Sequence, residues 1–481
     1  MGKIMTQEVI QVKLTKILCA LLACLMVVTC FAACGEKKKK NEFEFSADQK
    51  AMYDHIPQAD LEGYNFRILN RKTMVDEQYV EEETGDIISD AVYRRNETVK
   101  ALLNCDITSI ESSSNTADDA LNTILAGDDQ YDVIFPHSRV AFTYAVQNSL
   151  VNFNEIETID LTNSWWSQDI VDSCNINGHL YVLDGDISTH RLYYAFTMYF
   201  NKRIFDELGI EYPYQLALDG EWTFDAFAKL VKQGAKDLNG DGLMKQQDDQ
   251  YGYYTRDWFG PIQVLYTGGQ RIYSKDARGL PKLSINTPKT IDIYSKFFNL
   301  GNSEDVFLQL DQMRMADENL FTAGRAMFAD NDLGGAKTMR SMSDDFGILP
   351  WPKFTKEDKY ATAVNGHASL LVVPITVPDI NKTGMVIEAL GAVGQMEVIP
   401  AFYDVSLKTK FSRDYESEAM IDIIKDSLIY DLGYVAGGAF DSTGYKLSRQ
   451  SNPDFSAFYA ANESKAISDL NNFLKSYAKV G

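Results

Sequence analysis

The chain has 481 residues, with 46 Lys and Arg against 68 Asp and Glu and a formal charge of −22. That length predicts two or three domains with sizeable cores. The acidic balance excludes nucleic acid as a partner, because phosphate recognition needs clustered Lys and Arg, and it suits solubility at a cell surface. Six cysteines are too few for a disulfide scaffold in a chain this long.

Lys3, Lys13 and Lys16 precede an apolar run, Ile17–Cys30, which closes on Phe31-Ala32-Ala33-Cys34. Small residues before a Cys at the end of such a run resemble a lipobox, the cleavage and lipidation signal of bacterial lipoproteins. Phe31 stands where Leu is usual. The run ends on a cleavage-site Cys and not on a stop-transfer pattern, although Lys37–Lys40 forms a basic flank. The expectation is a signal peptide over 1–33, a lipid on Cys34, a tether over 34–60, and an extracytoplasmic protein held at the bacterial membrane by its lipid. Cys105 and Cys174 then remain, expected as free buried thiols. No second apolar segment of about 18 residues is expected, so nothing beyond the leader should span a bilayer.

Tyr64, Phe66 and Ile68 alternate as in a strand, and a helix is expected over Ser89–Asn104. A strand at Asp106–Ile110, a helix at Thr116–Ala126 and a short buried strand at Tyr131–Phe135 follow. This alternation predicts an α/β layer with mostly parallel strands. Thr223 is a good N-cap for a helix to about Ala235, with Asp225 in its first turn. Further helices are expected at Thr287–Leu300, Glu318–Gly324, Asn381–Gly394, Ser417–Tyr430 and Ala457–Tyr477.

Tyr131–Phe135 with Ser149-Leu150-Val151, Ser164-Trp165-Trp166, Asn177–Asp186, Tyr199–Lys202, Asp219–Thr223, Asp237–Gly242, Phe321–Phe328, Asp345–Pro352 and Asp426–Leu432 run in an order that resembles the extracellular solute-binding proteins of ABC importers, in the maltose-binding-like group. The resemblance covers about residues 64 to 435. It implies a two-lobed periplasmic-binding-protein-like fold (type II) with the ligand cleft between α/β lobes. It also implies a carbohydrate, an oligosaccharide above all, as solute, an ABC permease as partner, and a monomer. By resemblance the first crossing follows Asp184–Asp186 and the second lies near Leu349-Pro350. The lobes are then 61–195 with 350–402, and 196–349 with 403–481.

A saccharide site needs aromatic faces for sugar C–H surfaces and planar polar groups for hydroxyls. Trp165, Trp166, Trp258 and Trp351 sit in no clear helical stripe, and each is either a stacking face or a core residue. Trp222 opens a helix and is expected in the core. Strand ends of open α/β sheets point into the ligand crevice, which makes Arg71 and His137 candidates. Asp184 and Asp186, Asp332 in Asp330-Asn331-Asp332, and Asn365 before Gly366 complete the set. Turn chemistry is the plainer account of the Asp-Gly-Asp run.

Asp237, Asn239, Asp241, Gly242 and Asp248 fall at calcium-loop positions 1, 3, 5, 6 and 12, with Leu243 offering its carbonyl at position 7. Asp replaces Glu at position 12, and Lys245 at position 9 cannot ligate. A structural Ca²⁺ is expected there, and no catalytic cofactor. The sequence has no G-x-S-x-G, H-E-x-x-H, C-x-x-C or P-loop, and its five histidines lack ligand spacing. The expected activity is reversible binding without catalysis. The alternative is a lipid-anchored glycoside hydrolase or other surface enzyme, while an adhesin would show repeats or sandwich patterning.

Overall fold

The computed structural model describes residues 53, 56, 59–310, 319–339, 341–408 and 416–479. Cys34, the leader and nearly all of the tether lie outside them. The alternating Tyr64–Leu69 run forms β1 (Tyr64–Asn70), followed by α1 (Ile87–Leu103), β2 (Cys105–Glu111) and β3 (Val133–Phe135). Asp86 caps α1 by accepting from the amides of Ile88 and Ser89, and Asn104 closes it at φ 45°. The strands pair in parallel, in the order β2-β1-β3. Residues 369–374 extend this first sheet antiparallel to β3 through the Ile134–Val372 bridge. Helices α2 (Ser138–Val146) and α3 (Gln168–Cys174) follow β3. Only Ala120–Leu125 of the expected 116–126 helix forms. Ser114 and Thr116 instead give their hydroxyls to Asp118, a local bond that competes with the helix ladder.

The second sheet begins with β4 (Phe196–Asn201). Then come α4 (Phe224–Gly234), β5 (Tyr251–Arg256), α5 (Gly260–Thr267), α6 (Pro288–Gly301), β6 (Val306–Gln309), β7 (Ala326–Asp332) and β8 (Phe346–Leu349). Its order is β8-β4-β7-β5-β6, with β4 antiparallel to both its neighbours and the β7-β5-β6 pairs parallel. Thr223 accepts from the Ala226 amide, so the expected cap of α4 is observed. The core of this layer is aromatic: Phe227 lies 5.2 Å from Phe328 and 5.1 Å from Tyr253, and Trp222 lies 5.9 Å from Phe328. Of the helix expected over Glu318–Gly324, the described part from Asn319 makes turns, because the Asn319 side chain captures the amides of Phe321 and Thr322.

Helix α7 (Ile380–Lys408) packs on α1 and runs through Pro400. Among the described residues it is the one helix long and apolar enough to cross a membrane, which corrects the expectation that no such segment follows the leader. Most of its apolar stretch is buried inside the protein, so it is a core helix here. Helix α8 (Glu416–Asp426) stops short of Tyr430, because Leu428-Ile429 pairs in parallel with Thr362-Ala363. Two helices end the fold, α9 (Thr443–Ser448) and α10 (Phe455–Tyr477).

The chain passes between the sheets later than expected. Pro350 through Phe354 stays with the second sheet: Pro350 O accepts from Trp222 Nε1 at 2.9 Å, and the Phe354 amide donates to Thr267 O. The passage comes where Val364 bridges Ala195 and the Asn365 amide donates to Tyr194 O, just before Ser369 bridges His137. Helix α10, placed by expectation wholly with the second lobe, starts on α6 and finishes against α2. Cys105 and Cys174 are buried free thiols, and burial pushes both up to about 12.

Candidate functional site

The C-terminal ends of β1, β3, β5 and β7 deliver Arg71, His137, Trp258 and Asp332, the first two from one sheet and the last two from the other. Four of the expected residues gather around His367 and Tyr194. The Arg71 guanidinium is buried and donates to the carbonyls of Asn115 at 2.6 Å and His367 at 2.5 Å. His137 caps α2 by accepting the Arg139 amide, and its ring meets that of His367 at 5.4 Å. Burial, and then the Arg71 charge, pushes His137 down to about 3, so it is a neutral ring. Asn365 donates through Nδ2 to Asp332 Oδ1 at 3.0 Å, joining the second passage to the end of β7.

Trp258 is half-buried and stacked on Tyr445 at 3.8 Å, with the Arg449 guanidinium 4.3 Å over the Tyr445 ring. Arg449 is anchored by Asp257 at 2.7 Å. The result is a rigid aromatic step one strand away from Asp332.

Five expected residues are spent inside the protein. Trp165 is 6% exposed and packs with Trp166 against Gly391 of α7, where Trp166 Nε1 donates to Glu388 at 3.0 Å. Trp351 is 2% exposed inside the aromatic core of the second sheet, 6.5 Å from Tyr253, beside Trp222 as a core residue. Asp184 is buried, accepting from the Gly185 amide and the Tyr430 hydroxyl, and burial raises it to about 6. Asp186 is likewise consumed, by Arg191 and by Gln395 at 2.8 Å.

Sequence patterning missed the wall of a further cleft. A cavity of about 370 Å³ opens between the loop after β1, the helical turn His190–Tyr193 with Tyr194, and the turn after β7. Glu77, Tyr193, Tyr194 and Lys337 face it. Gly334 lets the chain come close: a Cβ there would collide with the Tyr193 ring. A Gly-Gly pair one residue beyond a strand was the available signal, since such glycines often mark close backbone approach. Glu77 lies in a long acidic loop without periodicity, which offered no signal.

The calcium-type loop is folded on itself. Asp237 accepts the amides of Gly240 at 2.6 Å and Gly242 at 2.8 Å, Asn239 accepts that of Asp241, and Asp241 accepts that of Leu243. Gly240 and Gly242 hold φ of 74° and 78°, the turn such a loop requires. Lys245 Nζ pairs with Asp241. Asp249, and not Asp248, closes the loop by accepting the amides of Leu238 and Lys245. Among the described residues no three acidic, histidine or cysteine side chains converge as a metal would need.

No protein-family model matches the chain, and no curated protein matches it. Solved structures do. An ABC substrate-binding protein from Listeria monocytogenes in complex with cycloalternan aligns over 86% of this chain and 99% of its own, at 13% identity and TM-score 0.54. A sugar transporter from Rhizobium etli in an open conformation aligns over 87% and 100%, at 12% identity and TM-score 0.56. UgpB from Mycobacterium tuberculosis in complex with glycerophosphocholine aligns over 86% and 98%, at 14% identity and TM-score 0.52. At these identities the likeness is one of fold: the chain has the two-lobed architecture of periplasmic-binding-type proteins.

Proposed function

We propose that this chain is the extracytoplasmic receptor of an ABC-type importer, which closes on a carbohydrate and delivers it to a membrane permease while its lipidated Cys34 holds it at the membrane. The cleft carries the reading. It lies between the lobes at strand ends, where open α/β sheets bind ligands, and its volume falls at the small end of pockets that hold small molecules. Tyr193 and Tyr194 give it aromatic faces. A hinge of two passages, at Tyr194-Ala195 and Val364-Asn365, suits an open–closed equilibrium that a solute shifts. The solved structures of the same fold caught with cycloalternan and with glycerophosphocholine support a small polar solute. The calcium loop at Asp237–Leu243 belongs to the same proposal as a structural site, with Lys245 as the competing cation.

The test is thermal unfolding of the full chain against mono- and oligosaccharides, amino acids and peptides, because a ligand of the folded state alone raises its apparent stability. A shift with one saccharide class and no turnover of it supports the receptor. Turnover of any member transfers the case to a surface hydrolase, and a shift with peptides alone removes the carbohydrate.

A further inference from the structure

The wall of the cleft constrains the charge of its solute. Thr189 donates to Glu77 Oε2, while Glu77 Oε1 has no partner among the described residues, and Asp76 lines the same cavity at its exposed rim. Asp86, the third carboxylate, is spent on the first amides of α1 and faces Lys337 from across the mouth. His190 Nε2 stands 3.7 Å from Glu77 Oε2, but burial, the larger influence on its ring, favours the neutral form against the pull of Glu77. Two cations stand behind the wall and are turned away. Arg95 is fully buried, donates to the carbonyls of Ile187 and Gln78, and faces Glu397 as well as Glu77. Arg71 gives its guanidinium to the carbonyls of Asn115 and His367. The phenol oxygens of Tyr193 and Tyr194 make no hydrogen bond to the described residues, so the cavity also offers them to a solute.

We infer that the cleft selects a saccharide carrying a basic nitrogen, an amino sugar held by Glu77 and Asp76, and rejects uronates and sugar phosphates. The inference rests on the carbohydrate reading and refines it. A carboxylate at a half-buried wall binds an ammonium in a medium of lower effective dielectric than water, and the same field repels an anion. A neutral sugar makes the same hydroxyl contacts without that gain.

Matched sets of the gluco, galacto and manno series separate the two readings: the neutral hexose, its 2-amino form, its uronate and its 6-phosphate, as mono- and disaccharides. Titration calorimetry of the full chain at pH 6.5, in 20 mM and 300 mM salt, reads the ratios. The amino form of one series should bind at least tenfold tighter than its neutral partner, with the ratio falling in high salt. Glu77→Gln, which keeps the acceptor for Thr189, should bring that ratio toward unity. Neutral sugars binding as tightly as amino sugars, or a uronate or phosphate binding best, overturns the inference and leaves the carbohydrate receptor standing. Silence from every series, in a protein that melts cooperatively, overturns both.

Discussion

Tyr253 gives its phenol hydrogen to Asp330 Oδ2 at 2.8 Å, across the boundary between β5 and β7, and Thr255 gives its hydroxyl to the same oxygen at 2.8 Å. The carboxyl sits within the sheet that positions Asp332, and burial pushes it up to about 7. An unfolded carboxyl titrates near ~3.9. Between those values the folded chain keeps a proton that the unfolded chain releases, so this group's contribution falls as pH rises from about 4 to 7. Asp330→Asn preserves an acceptor for both hydroxyls and removes the titration. Its melting temperature should decline less than wild type across that window, with a gain on the order of 1 kcal/mol at pH 8. Parallel curves for the two proteins would remove Asp330 from the pH dependence.

The local part of this architecture was legible in the sequence. Alternation at Tyr64, Phe66 and Ile68 gave β1, and Thr223 caps its helix as expected, by accepting the Ala226 amide. These signals need only near neighbours. Asn319 shows where neighbours mislead, since a helical apolar spacing lost to a side-chain bond with the backbone. The passage at Val364 and the depth of Trp351 depend on contacts with Ala195 and Tyr253, more than 90 residues away in sequence, and no window contains them. The cleft was not legible for the same reason: strand ends pointed to Arg71, His137 and Asp332, which do not line it, whereas Glu77 and Lys337 meet across a cavity that only the folded chain creates.

Trp258 and Trp351 should respond oppositely to truncation. Trp351→Ala empties a site in the aromatic core and should cost about 3–5 kcal/mol of stability, as Trp222→Ala should. Trp258→Ala removes the half-buried half of a stack and should cost about 1–2 kcal/mol, while weakening saccharide binding by more than tenfold. Denaturant unfolding and titration calorimetry on the three variants check this. Unchanged affinity in Trp258→Ala would detach the aromatic step from the site.

Calcium should raise the melting temperature of wild type, and a chelator should lower it, because a cation at 237–243 must displace the Lys245 ammonium from Asp241 and stiffen the loop. Lys245→Ala should tighten calcium binding by removing the competitor. Asp237→Ala with Asp241→Ala should abolish the calcium response. Wild type and Lys245→Ala melting alike with calcium and with chelator would leave the loop as a turn held by its own Asx bonds.

Helix α10 ties the two halves of the fold together at its ends. Phe455, in its first turn, stacks on Tyr294 of α6 at 5.3 Å. Tyr477, in its last, meets Tyr181 at 5.0 Å and Phe142 of α2 at 6.0 Å. Its hydroxyl donates to Cys174 O at 3.0 Å and accepts the Tyr181 amide at 3.3 Å. Tyr477→Phe keeps the ring packing and leaves both backbone groups buried without that partner, a loss of about 1–3 kcal/mol. Because the anchor is local to one end, the last turn should lose amide-exchange protection before the first does. Hydrogen exchange resolved along 455–479 reads this directly. Protection lost evenly along the helix would mean that the Tyr477 hydroxyl supports the whole fold and not the tie between its halves.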